Sequence, residues 1–168
     1  IYNHLKNLII NKKIKRVLIW GLTYTENTNT LRRSLAIEIS NWLRTHNIKV
    51  SGYDSNIKKF PPRINKIINR LSSPISTIKN IDVLIILGKS KDFLKISPNV
   101  IKKLNKKLII IDPNYFCNHF EKIYKNKYIY VGKPTLSLFN RSPVINFNYN
   151  LKNQVVLVTG ASKGLGYQ

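Results

Sequence analysis

Short continuous apolar runs recur along this chain, separated by polar stretches with helical periodicity, and that alternation restricts the fold more than any other feature. The runs at 16–20, 48–53, 82–87 and 107–111 have strand length, and 128–131 is a candidate fifth. Those at 16–20, 82–87 and 107–111 are, after a polar first residue, apolar at consecutive positions rather than alternate ones. Both faces of each strand must therefore be covered, which is the condition of a parallel sheet. Between the first two runs, Leu31, Leu35, Ile39, Trp42 and Leu43 recur at helical spacing, with Thr30 the expected N-cap and Asn47 closing the helix. Ile64, Ile67, Ile68 and Leu71 mark a second helical stripe after Pro61 and Pro62; 92–104 is a third, its main part starting with Pro98 at the first helical position. The expected class is α/β, a Rossmann-like three-layer sandwich around a mainly parallel sheet. Ligands of such sheets bind beyond the carboxyl ends of the strands, which directs attention to 21–30, 53–55, 88–91 and 112–116.

Composition narrows the function classes. The 29 Lys and Arg against 7 Asp and Glu give a net charge of +22, which invites a nucleic-acid partner. Two features argue against it. Lys, Asn and Ile, whose codons are A/T-rich, dominate, while alanine is confined to Ala36 and Ala161, so codon bias alone can make the chain basic. Lys also far outnumbers Arg, the residue favoured for base edges and bidentate phosphate clamps. Nucleic acid therefore ranks last among the expected partners.

No apolar run approaches the ~18 residues of a membrane span, and 1–10 lacks the apolar centre of a signal peptide, so no membrane partner is expected. Cys117 is the single cysteine and the three His are scattered, so neither a disulfide nor a metal site is expected, and a reducing, cytoplasmic setting fits. His4, His46 and His119 read as surface residues and Cys117 as a structural thiol. Asp54 reads as a turn residue rather than a ribose ligand, because the loop after the first strand lacks three glycines. Tyr124, Tyr128 and Tyr130 read as sheet residues, with a stacking platform for bases the alternative.

The expected organisation is an incoming helix or linker at 1–15, an α/β domain at 16–133, a linker at 134–150 and the start of a second domain at 151–168. A chain that opens on Ile1 with no Met, and closes on an unfinished motif, is expected to be a window across a domain junction. That motif is Thr159-Gly-Ala-Ser-Lys-Gly-Leu-Gly166, directly after the apolar run 154–158. Glycines there let a tight turn bring helix amides against a dinucleotide pyrophosphate, where Cβ atoms would obstruct. The motif resembles that of the short-chain dehydrogenase/reductase family. The resemblance implies NAD or NADP held through Thr159, Gly160, Ser162, Lys163, Gly164 and Gly166, with Lys163 favouring NADP, and catalytic residues downstream.

The larger segment carries a second resemblance. The stretch 16–34, followed in order by 50–54, 82–87, 108–115 and 128–132, resembles the C-terminal UDP-binding domain of the UDP-glucose/GDP-mannose dehydrogenase family. This likeness covers about residues 10–133. It implies a grip on the nucleotide of a UDP-sugar through Tyr24, Thr25, Arg32 and Ser34, in a homo-oligomeric enzyme that oxidises the sugar C6 alcohol to a carboxylate with NAD. The family's catalytic Cys and NAD-binding domain precede this segment, so no catalytic residue is assigned. Gly21, Leu22, Thr28, Arg32 and Ser34 match the family motif. Tyr24 stands for its Phe, Thr25 for its nucleotide-sugar-binding Lys, Asn29 and Thr30 for paired Asp, and Arg33 for Glu. The family's Asp-Gly-Arg-Asn appears as Asp112-Pro-Asn-Tyr115, without the Arg. Two lost charge-assisted hydrogen bonds, at about 1.5–3 kcal/mol each, would weaken UDP binding about a hundredfold or more. Two functions follow: part of an NAD(P)-dependent oxidoreductase of nucleotide sugars, or a degenerate structural or oligomerisation module attached to a short-chain dehydrogenase.

Overall fold

The computed structural model describes residues 1–25 and 28–130. The expected linker at 134–150 and the glycine motif from Thr159 to Gly166 lie outside the described residues.

Helix α1 (Tyr2–Lys12) leads into β1 (Arg16–Trp20), then α2 (Leu35–Thr45) and β2 (Lys49–Tyr53). A one-turn α3 (Pro62–Asn65) precedes a short β3 (Asn69–Arg70), and β4 (Val83–Ile86) follows. Helices α4 (Lys91–Leu94) and α5 (Pro98–Leu104), β5 (Ile109–Ile111), α6 (Glu121–Tyr124) and β6 (Tyr128–Ile129) complete the described chain. All pairings are parallel, in the order β3-β2-β1-β4-β5-β6. This is the expected Rossmann-like α/β sheet.

The two-sided burial of the strands follows from their consecutive apolar residues. In β1, Val17 and Ile19 join Leu5, Ile39 and Leu43 in one core, whereas Leu18 and Trp20 join Phe93, Ile101, Phe120 and Tyr128 in the other. Strand β4 divides the same way, Val83 and Ile85 against Leu84 and Ile86. Trp20 stacks on Phe93 with ring centroids 4.9 Å apart, and its indole N–H donates to Pro74 O at 3.0 Å, so the large ring is buried without an orphaned donor. At the opposite edge, Asp82 Oδ2 accepts from Lys15 N at 2.7 Å and Arg16 N at 2.9 Å and fixes the entry to β1.

Three expectations are corrected. The cap of α2 is Ser34, not Thr30. Thr30 O accepts from Tyr24 N at 2.9 Å, closing the loop, and the chain turns through Arg33 at φ 57° before Ser34 accepts from Ala36 N. The stripe Ile64–Ile67–Ile68–Leu71 is one turn of helix followed by the edge strand β3. Ile64 and Ile68 pack in one core, while Leu71, whose N–H donates to Gly52 O, packs in the other. The segment 92–104 is two helices. Ser90 caps α4 through Asp92 N at 3.2 Å, and Pro98 starts α5 at its first turn as expected.

The loops leaving the carboxyl ends of β1 and β4 approach so closely that glycine is required at Gly21 and only a tight fit remains for a side chain at Gly88. Gly21 has φ 82°, and a Cβ there would collide with N and Cα of Gly88. Gly21→Ala is therefore expected to lower unfolding free energy by about 2–5 kcal/mol, from left-handed strain plus overpacking. Urea denaturation checks this; a loss below about 1 kcal/mol would contradict the close approach.

Candidate functional site

Strand order reverses between β1 and β4, whose crossovers leave toward opposite edges, and the crevice beyond their carboxyl ends is the topological switch point. A cleft of about 320 Å³ lies there. Its lining comes from four loops: Thr23, Tyr24 and Thr25 after β1; Asn56 after β2; Lys89 and Ser90 after β4; Asn114 and Phe116 after β5.

Two buried carboxylates shape these loops. Asp54 Oδ2 accepts from Leu22 N at 2.8 Å, Thr23 N at 3.2 Å and Thr23 Oγ1 at 3.3 Å, while its Oδ1 accepts from Asn56 N at 2.9 Å. Asp112 Oδ1 accepts from Phe116 N at 3.0 Å, and its Oδ2 from Cys117 N at 2.7 Å and Tyr128 Oη at 2.6 Å. Asp54 thus has the turn role expected of it.

The same geometry decides against a dinucleotide at this crevice. The first-loop amides of Leu22 and Thr23 are held by Asp54 rather than offered to a pyrophosphate, and Gly21 packs against Gly88. Asp54 is engaged through Oδ2 with three donors of the first loop and through Oδ1 with Asn56 N, so its hydrogen bonds tie loops together where a dinucleotide site would hold a ribose diol. The described residues do not fit NAD or NADP.

The structure brings Tyr24 and Thr25 together at the cleft, with the Tyr24 ring exposed and Thr25 O accepting from Thr28 Oγ1 at 2.8 Å. Ser34 is buried. Its hydroxyl donates to Leu22 O and accepts from Ala36 N, so it shapes the loop from beneath. Arg32 lies apart, in an adjoining pocket that shares Asn56 with the cleft. Both positions where the family motif carries a cation, Thr25 and Asn114, line the cleft, and among the described residues Lys89 is the only cation lining it. Sequence reasoning marked 88–91 as a strand-end loop without singling out Lys89. Its signal was position alone, one residue past Gly88 in the loop that follows β4.

Cys117 is buried, and burial together with the charge of Asp112 pushes its thiol up to about 12, so it is the structural thiol expected. Tyr124 and Tyr128 are buried too, their hydroxyls donating to Asn105 O and Asp112, which removes the base-stacking alternative for them. Tyr130 is half-buried beside Tyr115, ring centroids 4.6 Å apart. His4 and His46 are exposed, His46 against the ring of Trp42; His119 is half-buried, its Nε2 3.2 Å from Ile96 O. Among the described residues no group of three or more His, Cys, Asp or Glu could hold a metal ion, and no helix is long and apolar enough to cross a membrane.

A model of the UDP-glucose/GDP-mannose dehydrogenase family, UDP binding domain, matches residues 18–119. The matched residues stop short of the glycine motif at 159–166. Among solved structures, the chain is similar to an NDP-N-acetyl-D-galactosaminuronic acid dehydrogenase from Methanosarcina mazei Go1. The TM-score is 0.61 at 14% identity, over 77% of this chain and 27% of that one. It is also similar to a UDP-N-acetyl-mannosamine dehydrogenase from S. aureus, with TM-score 0.53, 20% identity and coverage of 76% and 29%. A shikimate dehydrogenase from Aquifex aeolicus gives TM-score 0.52 at 15% identity, covering 77% and 48%. At such identities the likeness shows the fold, and the chain spans under a third of the length of the first two. No curated protein matches.

Burial raises the acid groups of Cys117, Tyr53 and Tyr124 to about 12 from ordinary values of 9.0 and 10.0, with a hydrogen bond to Asp92 adding to the Tyr53 shift. Folded values above unfolded ones mean that the unfolded chain loses protons first on alkalinisation. Their contribution is complete below about pH 9 and is lost as pH rises through about 12. Urea midpoints should therefore fall across that window, less steeply in Cys117→Ala, whereas a flat profile would contradict the burial. At pH 8, iodoacetamide should label Cys117 at least about a hundredfold more slowly in the folded chain than in urea.

Proposed function

The chain belongs to the UDP-glucose/GDP-mannose dehydrogenase family through its UDP-binding domain, and from that membership we propose that the switch-point cleft holds the diphosphate of a nucleotide sugar, such as a UDP-sugar. The domain would serve a cytoplasmic, homo-oligomeric NAD(P)-dependent oxidoreductase that acts on the sugar's hydroxyl. The observation that carries this reading is the position of Lys89. It lines the same cleft as Thr25 and Asn114, which stand where the family motif has Lys and Arg. A single ammonium in a cleft supplied by four loops offers charge-assisted hydrogen bonds to a diphosphate and compensates in part for the two missing cations.

The remaining residues divide the work by location. The exposed ring of Tyr24 can stack on the base, and Thr25, Asn56 and Asn114 offer polar contacts to phosphate and ribose. Ser34 holds the loop at Leu22 and acts as a positioning residue, and Arg32 lies outside the cleft, in the adjoining pocket. NAD or NADP, when bound, supplies a hydride acceptor. Its proposed residues are Thr159, Gly160, Ser162, Lys163, Gly164 and Gly166, with Lys163 favouring NADP, outside the described part of the chain. A second reading is a degenerate structural or oligomerisation module; the uncharged Thr25 and Asn114 favour it.

Calorimetric titration with UDP-glucose separates the two. The cleft reading predicts saturable binding, weakened about tenfold or more in Lys89→Gln and strengthened about tenfold or more in Thr25→Lys, with urea midpoints unchanged. Absence of binding at millimolar ligand in both the natural chain and Thr25→Lys would leave the structural module.

A further inference from the structure

The pocket beside the cleft, about 590 Å³, gathers four cations: Arg32 from the loop after β1, and Lys58, Lys59 and Arg63 from the segment between β2 and α3. Among the described residues no carboxylate lines it. Among the described residues none of the four side chains has a hydrogen-bond or ion-pair partner. Like charges in one concavity repel, so a solvated Lys-rich surface would spread them.

Here the backbone forces convergence. Asp54 binds Leu22 N and Thr23 N of one loop and Asn56 N of the other, so the two segments are clamped together. Ile57 and Phe60 are buried anchors, leaving Lys58 and Lys59 exposed between them, while Arg70 Nε donates to Ile57 O at 2.9 Å. Pro61 and Pro62 set the start of α3 and hence the place of Arg63, and Arg33 at φ 57° turns the chain just after Arg32. The cations are thus carried on segments fixed before any ligand arrives, the condition under which anion binding loses least to ordering.

We infer that this pocket is an anion site for a phosphate group, a phosphomonoester or diphosphate, separate from the switch-point cleft though joined to it through Asn56. Asn29 and Thr30 at its rim add neutral hydrogen-bonding groups suited to phosphate oxygens. The inference does not depend on which ligand fills the cleft.

The test uses the full chain with inorganic pyrophosphate as probe, followed by calorimetry and ³¹P NMR at about 150 mM salt, where exposed charges are screened beyond ~8 Å. Two variants are compared, each in a Lys89→Gln background that removes the cation of the cleft: K58Q/K59Q/R63Q at the pocket, and K102Q/K103Q/K106Q removing equal charge on and beside α5. Saturable binding is expected in that background, weakened about tenfold or more by the pocket variant and within about twofold of the background in the α5 variant. Equal weakening by the pocket and α5 variants would mean that net charge alone is sensed, and would overturn the site. So would binding unchanged by the pocket variant, or no saturable binding at millimolar pyrophosphate in that background. Urea midpoints of all variants identify any change due to unfolding; should the pocket variant not fold, Arg63→Gln alone reads the same contrast at reduced amplitude.

Discussion

The carboxylate of Asp54 accepts hydrogen bonds from Leu22 N and Thr23 N in the loop after β1 and from Asn56 N in the loop after β2, fixing against each other two loops that are distant in sequence. Asp112 does the same between the loop after β5 and the side chain of Tyr128 on β6. Hydrogen bonds to a charged group contribute about 1.5–3 kcal/mol each, and their loss would leave buried amides unsatisfied. In a chain with 7 acids against 29 basic residues, these carboxylates are engaged by backbone amides and a buried hydroxyl instead of surface ion pairs. The carboxyl edge of the sheet is therefore rigid, and the basic residues around it are left to face solvent or a ligand.

That rigidity explains why a Rossmann-like sheet here carries a crevice unsuited to a dinucleotide. A glycine-rich loop presents its amides outward; this loop turns Leu22 N and Thr23 N inward to Asp54. What remains at the switch point, among the described residues, is a polar cleft with one ammonium, Lys89, beside an exposed tyrosine. The adjoining pocket holds the denser positive charge. The total of +22 says little by itself. The clamps decide which cations converge.

How much of this was legible beforehand depends on the range of the interactions involved. β1 was read to its last residue because four consecutive apolar side chains can be buried only between two layers. β3 was missed because it is two exposed residues long, and its identity rests on pairing with β2. Thr30 and Ser34 both have capping chemistry; only the contact of Ser34 with Leu22 O, twelve positions earlier, selects between them. The turn role of Asp54 could be argued from the missing glycines, but the amides it binds could not. Arg32 was marked by its motif, but Lys89, Lys58, Lys59 and Arg63 were illegible as site residues, since nothing local distinguishes these cations from the others.

The account's central claim is that the switch-point cleft, with Lys89 at its wall, is where a nucleoside diphosphate binds. Backbone amide NMR shifts measured during titration with UDP test it most directly. The account predicts saturable changes concentrated at Gly21, Thr23, Tyr24, Thr25, Gly88, Lys89 and Asn114, with α5 unperturbed. Changes spread evenly over the lysine-bearing surface, or confined to residues away from the carboxyl edge of β1 and β4, would contradict it.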